Sequence, residues 1–250
     1  QAEDGIRDRS PSRGLGDVYK RQDINIPIDG PVASGKTTVG RTLAARLGIT
    51  FLDTGIMYRA VTWLAINRNI SASDTDELSK LVDDLVINVD DHIGNSVEIN
   101  GIYLKDELIE PSVVDKVSEI SKHEFIRKAL VSQQRLLASN TDIVMVGRDI
   151  GTVVLPNANP KIYITASLAI RAKRRWLELK NKGLSVNYSQ ILESTRNRDL
   201  VDSNRTTSPL AIAQEALVIN TDSMDAEQAT ESIIQRLRET TQLNPTVGPV

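Results

Sequence analysis

The sequence contains no cysteine, and that removes several chemistries at once: a disulfide framework, a thiolate nucleophile and any Cys-containing zinc site. Histidine is nearly absent as well. His92 and His123 are the only two, and they lie too far apart in sequence to suggest a metal pair. Aromatic residues make up 4% of the chain, and no apolar run approaches the ~18 residues that would mark a membrane-crossing helix. There is also no excess of basic charge. The formal net charge is −3 and the isoelectric point about 5.6, so a basic footprint covering the whole surface, as nucleic-acid binding would require, is not expected. A local arginine pocket remains open. These absences fit a cytoplasmic protein with no nucleic-acid or membrane partner.

What remains is a 250-residue chain with 40% hydrophobic and 25% charged residues, enough for one large core or two modest ones. Residues 1–22 mix Arg, Asp, Gly, Ser and Pro without periodicity and contain no Met, the first being Met57. They look like a translated sequencing adapter and are set aside as a non-native or disordered leader; the four acidic residues disfavour the alternative, a transit peptide. The last ten residues, 241–250, read as a flexible tail.

Between these ends, short apolar runs alternate with helical patterns. "INIPID" leads through a Gly-rich loop into a helix with Val39, Leu43 and Leu47 on one face and Gly48 as its stop. "TFLD" leads into a second helix, with Met57 and Val61 on one side. "DIVMV", "KIYITA" and "ALVIN" add three further strands. This rhythm predicts an α/β fold, a three-layer arrangement with a parallel sheet covered on both faces. Pro27 is awkward in a central strand because it has no N–H to give to the ladder. Residues 85–109 break the pattern. "LVINVD", "SVEING" and "IYLKDELI" read as strands, with turns at 92–95 and at Asn100-Gly101, and a helical pattern resumes over 112–138. The expected organisation is a core of 23–84 and 139–240, a strand-rich insertion of 85–138 and a helical lid at about 167–207.

Gly30-Pro31-Val32-Ala33-Ser34-Gly35-Lys36-Thr37 satisfies G-x-x-x-x-G-K-[ST] between a predicted strand and a predicted helix, and Thr38 continues it. Glycines let successive N–H groups face anionic oxygens, the helix N-terminus adds its positive end, Lys36 reaches the terminal phosphates and Thr37 can ligate Mg²⁺. Nucleoside triphosphate binding follows, but its use does not. A phosphotransferase needs a second anion site and an arginine-rich lid, whereas a nucleotide switch needs base-selective elements, and no N-K-x-D string is present.

The second anion site has candidates. Arg59, one helical turn after Asp53-Thr54-Gly55, and Arg148, in Gly147-Arg148-Asp149, both follow strands at the edge where open α/β sheets bind ligands. In the lid region Ser167 is a plausible N-cap and Gly183 a stop. Arg171, Arg174 and Arg175 share one helical face, and Arg198, Asp202 and Arg205 form another stripe. Such a charge run is either a solvated helix face or a cradle for a transferring phosphoryl group.

Taken together, "IDGPVASGKTT", "FLDTGIMYRAV", "GRDIGTVVLPNANPKIYITAS", "RAKRRWLELKNKG" and "RDLVDSNRTTSPL" resemble the bacterial cytidylate kinases from about Ile24 to Arg238. The resemblance implies a P-loop kinase core with a strand-rich insertion that binds the nucleoside monophosphate, transfer of phosphoryl from ATP to CMP or dCMP with Mg²⁺, and a monomer. It also implies roles: Thr54, Tyr58 and Arg59 line the CMP pocket, Arg148 meets the CMP phosphate, Asp149 reads cytosine, and Ser118 and Arg127 contact the base. Asp202 holds the ribose, while Arg198 and Arg205, with Lys36, gather the transferring group. Three residues depart from the family's usual pattern. Val146 stands where an acid often precedes Gly-Arg-Asp, Val201 stands where another Arg is common, and Pro27 lies in the first strand. The nearest alternative is a kinase of another small acceptor, such as shikimate, on the same core.

Overall fold

The computed structural model describes residues 24–83, 85–89 and 96–240. The leader 1–22, the tail 241–250 and the turn expected at 92–95 lie outside the described residues.

Five strands form one parallel sheet: β1 (Asn25–Asp29), β2 (Thr50–Asp53), β6 (Ile143–Gly147), β7 (Ile162–Thr165) and β8 (Leu217–Asn220), in the order β2-β6-β1-β7-β8. Central strand β6 is apolar and buried on both faces, as a sheet covered on both sides requires. In β6, Ile143 and Met145 enter one hydrophobic cluster with Met57, Val61 and Leu64 of α2 (Thr54–Asn67). Val144 and Val146 enter the other, with Val39 and Leu43 of α1 (Lys36–Leu47) and Ile233 of α8 (Ala226–Thr240). Alternation along a single strand thus feeds two cores.

Pro27 occupies the central strand without breaking it. The Ile24 carbonyl accepts from Ile143 N–H, so alternation turns residue 27 away from β6 and toward β7. There, pairing begins only at Ile28. The missing N–H falls on a side where no ladder asks for it.

The insertion holds a three-stranded antiparallel sheet of β3 (Ile87–Val89), β4 (Val97–Ile99) and β5 (Ile102–Leu104). Asn100 and Gly101 both have positive φ, 49° and 80°, the geometry a two-residue hairpin turn needs. Leu78 and Leu81 of α3 (Thr75–Asp83), together with Ile87, Val97, Ile99 and Leu104, share the cluster that contains α2, so the insertion is built onto one face of the main core.

Two features differ from the sequence pattern. "DELI" (Asp106–Ile109), expected to be strand, is a single 3₁₀ turn, favoured by Glu107 accepting from Lys105 N–H and by burial of Leu108. The helical stretch over 112–138 is two helices, α4 (Pro111–Ile120) and α5 (Glu124–Ala138), broken at 121–123, where the His123 ring nitrogen Nε2 lies 2.8 Å from the Ala72 carbonyl. Proline opens α4 at the one position where its missing N–H costs nothing.

Candidate active site

The C-terminal ends of β1, β2 and β6 converge on one cleft of about 490 Å³. On its donor side, the loop after β1 is shaped by its glycines. Gly30 has φ 156°, and a Cβ there would come 2.0 Å from the Ile164 carbonyl of β7, so only glycine lets the loop pack this close. Gly35, at φ 90°, leads into α1. The back of the loop is held by hydrogen bonds to its carbonyls. Arg171 donates from Nη1 to Val32 O (3.3 Å), Arg174 Nη1 to Ser34 O (3.4 Å) and Thr221 Oγ1 to Ser34 O (3.1 Å). With its carbonyls held from behind, the loop leaves its N–H groups for the front.

Lys36 is buried and donates from Nζ to Pro31 O at 3.0 Å. Burial, reinforced by the positive charge of Arg148, pushes its pKa well below the usual lysine range. Such an ammonium gains strongly from an arriving anion.

The side of the cleft opposite the loop is assembled from distant segments. Thr54 Oγ1, at the start of α2, donates to Val146 O at 2.9 Å and ties β2 to β6. Tyr58 is buried beneath the Arg127 guanidinium, 5.1 Å from its ring centroid, and burial raises its phenol to about 12. Arg127 of α5 donates to Asp149 Oδ2 at 2.5 Å and to Ser121 O at 3.2 Å. Both members of that pair are almost wholly enclosed, with side chains 3% and 6% exposed. Arg148 Nε donates to Asp202 Oδ2 at 2.8 Å, and Arg205 bonds the other oxygen of the same carboxylate. Burial alone would raise Asp202, yet Arg148 and Arg205 hold it below the usual carboxylate range. Asp202 lies on α7 (Tyr188–Ser203); Arg205 sits two residues past that helix, not on its continuing stripe.

Four cleft arginines, Arg59, Arg127, Arg198 and Arg205, each have a buried Nε without a hydrogen-bond partner. Burial and the nearby Arg148 lower Arg59 and Arg198, the latter to about 10. Asp53 beside Arg59 and Asp202 beside Arg198 offset only part of this, so an arriving anion would relieve the remaining crowding.

The cleft brings together Val32, Ala33, Lys36, Thr37 and Thr38 from the loop with Thr54, Tyr58, Arg59, Ser118, Arg127, Arg148, Asp149, Arg198, Asp202 and Arg205. Gly30, Pro31, Ser34 and Gly35 do not line it; they form the back and root of the loop. The arginine face of α6 (Leu168–Asn181) divides. Arg171 makes a bidentate pair with Asp199 (2.9 and 2.6 Å), Arg174 bonds Thr221 and Ser34, and only Arg175 reaches the cleft, beside Glu178 and Lys182. Ser167 precedes α6, but its side chain makes no capping bond; instead its N–H donates to Asp222.

Asp53 is the residue that motif reading passed over. Its Oδ1 accepts from Gly55 N–H and its Oδ2 from Thr37 Oγ1 at 3.3 Å, so it caps α2 and faces the phosphate loop together. The signal was available in Asp-Thr-Gly at a strand end, a helix N-cap pattern. No group of three or more His, Cys, Asp or Glu is gathered as a metal cage among the described residues. Thr37 and Asp53 suit a cation that keeps most of its waters and binds chiefly through substrate phosphates.

A family model described as cytidylate kinase matches residues 26–239, which include every element of this cleft. The chain belongs to the cytidylate kinase family. A cytidylate kinase of Caldanaerobacter subterraneus subsp. tengcongensis is 42% identical over 218 residues, covering 87% of this chain and 96% of the relative. One of Halalkalibacterium halodurans is 41% identical over 217 residues (86% and 98%), and one of Clostridium botulinum 38% over 217 (87% and 99%). The two valines that depart from the cytidylate kinase pattern lie outside the cleft. Val146 packs into the α1 core, where a Cβ on Gly40 would come 2.6 Å from its Cγ1, and Val201 is exposed on α7.

Proposed function

We propose that this chain transfers the γ-phosphoryl group of ATP to CMP and dCMP, giving ADP with CDP or dCDP, as a step of pyrimidine nucleotide metabolism. The observation that carries the reading is a single cleft that joins a triphosphate loop to a buried Arg127–Asp149 pair and a cluster of partly unpaired cations, in a member of the cytidylate kinase family.

The loop N–H groups and Lys36 hold the β- and γ-phosphates. Arg59 and Arg148 hold the CMP phosphate, and one of its oxygens attacks the γ-phosphorus in line as the bond to the β-bridging oxygen breaks. No general base is needed, because that oxygen already carries negative charge near neutral pH. Arg198 and Arg205 take up charge on the equatorial oxygens, with Arg198 supplying the donors that are unpaired without ligand. Asp149 and Arg127 read the amino and carbonyl edges of cytosine, Ser118 lies at the base, and Asp202 accepts from the ribose. Thr37 and Asp53 would hold Mg²⁺, whose chemistry is neutralisation of phosphate charge.

The test is an ADP-release assay on the full chain with ATP and Mg²⁺, comparing CMP, dCMP, UMP, AMP and no acceptor, with the product identified by chromatography. Stimulation confined to CMP and dCMP, with CDP and dCDP formed, is expected. Equal rates with and without acceptor would overturn the reading.

A further inference from the structure

Asp29 ends β1 and directly precedes Gly30, yet it does not line the nucleotide cleft and is 2% exposed. Both its oxygens are committed. Oδ1 accepts from Ile150 N–H at 2.8 Å and Oδ2 from Gly151 N–H at 2.7 Å. Those two N–H groups open the π-helical turn Ile150–Val154, which begins immediately after Arg148 and Asp149. The other end of the turn is held by Arg135, donating from Nε to Val154 O (2.9 Å) and from Nη2 to Val153 O (2.6 Å). The fit at Gly151 is close: a Cβ there would come 3.3 Å from Asp29 Oδ2.

This arrangement is costly in one respect. Among the described residues no salt bridge neutralises Asp29, and burial, with the charge of Asp149 adding to it, raises its pKa to about 6. The charged groups facing it are Asp149 and Lys36, with the Tyr163 phenol on β7. The folded state therefore binds this proton more tightly than the unfolded chain. Ionisation costs stability progressively from about pH 3.8 to about 6, and in full above that. A carboxylate kept charged at such a site is explained by what its two hydrogen bonds fix.

We propose that Asp29 is a positioning residue that sets Arg148 and Asp149 in register with the phosphate loop, so that the acceptor meets the donor at reacting distance. The inference rests on the phosphoryl-transfer reading above. Its effect falls on the acceptor, because the loop has separate anchors in Arg171, Arg174 and Thr221, whereas the segment after Asp149 leans on Asp29 and Arg135.

The experiment compares Asp29→Asn with the wild-type chain in four measurements: ATP affinity without acceptor, kcat and KM for CMP, the CMP-over-UMP ratio, and the melting temperature. Asn keeps the shape but offers one acceptor oxygen, turning an N–H donor toward the other amide. The expected signature is a loss in kcat/KM for CMP of about tenfold or more and an eroded CMP-over-UMP ratio, with ATP affinity changed by less than about twofold. The melting temperature at neutral pH should equal or exceed that of wild type. As pH falls through about 6 the wild-type advantage should shrink, and protonation of the CMP phosphate cancels in that ratio. Gly151→Ala crowds the same contact and should give the same acceptor-side loss. Equal losses for ATP and CMP with a lowered melting temperature, or no loss at all, would overturn the inference. Failure of the functional reading shows separately, as a wild-type chain that does not phosphorylate CMP.

Discussion

The two sides of the cleft use the same residue type in opposite ways. Behind the donor loop, Arg171 and Arg174 spend their guanidinium donors on main-chain carbonyls and on Asp199 and Thr221. On the acceptor side Arg59, Arg127, Arg198 and Arg205 each keep a buried Nε unpaired, and Arg127, Arg148 and Arg205 are matched to only two carboxylates, Asp149 and Asp202. The first group fixes geometry; the second stores unneutralised charge that an anion relieves. On the proposed function, a cation that already has its partners shapes the site, and one that lacks them meets the phosphates.

The sharpest way to break this division is Lys36→Met. With no bound anion, the buried ammonium is disfavoured by burial and by Arg148, so its removal should raise the melting temperature of the ligand-free protein while lowering kcat by about 10³-fold. A destabilised ligand-free variant would mean that Lys36 serves the fold. The cations on α7 and just past its end come next. Arg198→Met and Arg205→Met should each cut kcat by about 10²-fold with little change in ATP affinity, measured by ligand titration. The two should differ in stability. Removing Arg198 relieves like-charge crowding, whereas removing Arg205 takes a partner from buried Asp202. Near-normal turnover by both would detach these two arginines from the reaction.

Residue pattern alone made the donor side legible, because its residues are contiguous and each has a local reason: glycine for φ, lysine for charge, a helix start for the N–H groups. The alternating rhythm likewise gave the parallel sheet. The fate of individual arginines was not legible. Arg171, Arg174 and Arg175 share a face at helical spacing, yet the first two turn onto carbonyls brought to them by β1 and β8, and no spacing rule encodes that meeting. For the same reason Asp53 was missed, since its contact with Thr37 joins two strand ends that are neighbours only in the folded sheet. Residues 106–109 misled for a different reason: their apolar pattern suits a strand, but two acidic residues and the approach to Pro111 favour a turn.

The Arg127–Asp149 pair sharpens the comparison from inside the acceptor side, being matched and buried at once. Asp149→Asn leaves the Arg127 charge enclosed without its carboxylate and should cost about 3–5 kcal/mol of stability, read by denaturant titration. It should also erode the preference for CMP over UMP. The double variant Arg127→Met, Asp149→Asn should regain part of the stability and none of the selectivity. Recovery of both would show that the pair serves packing alone.

Val201→Arg carries the smallest expected effect and tests where the boundary of the cation cluster lies. It restores a guanidinium that the family often has, on α7 between Arg198 and Asp202 in sequence. Position 201, however, is 45% exposed and does not line the cleft, although Arg198 and Asp202 on the same helix do. Water screens a charge placed there, so kcat and KM for CMP should change by less than about twofold. A clear rise in kcat would mean that α7 turns this face inward during turnover. The set of unpaired cations would then be larger with substrates bound than in the ligand-free protein.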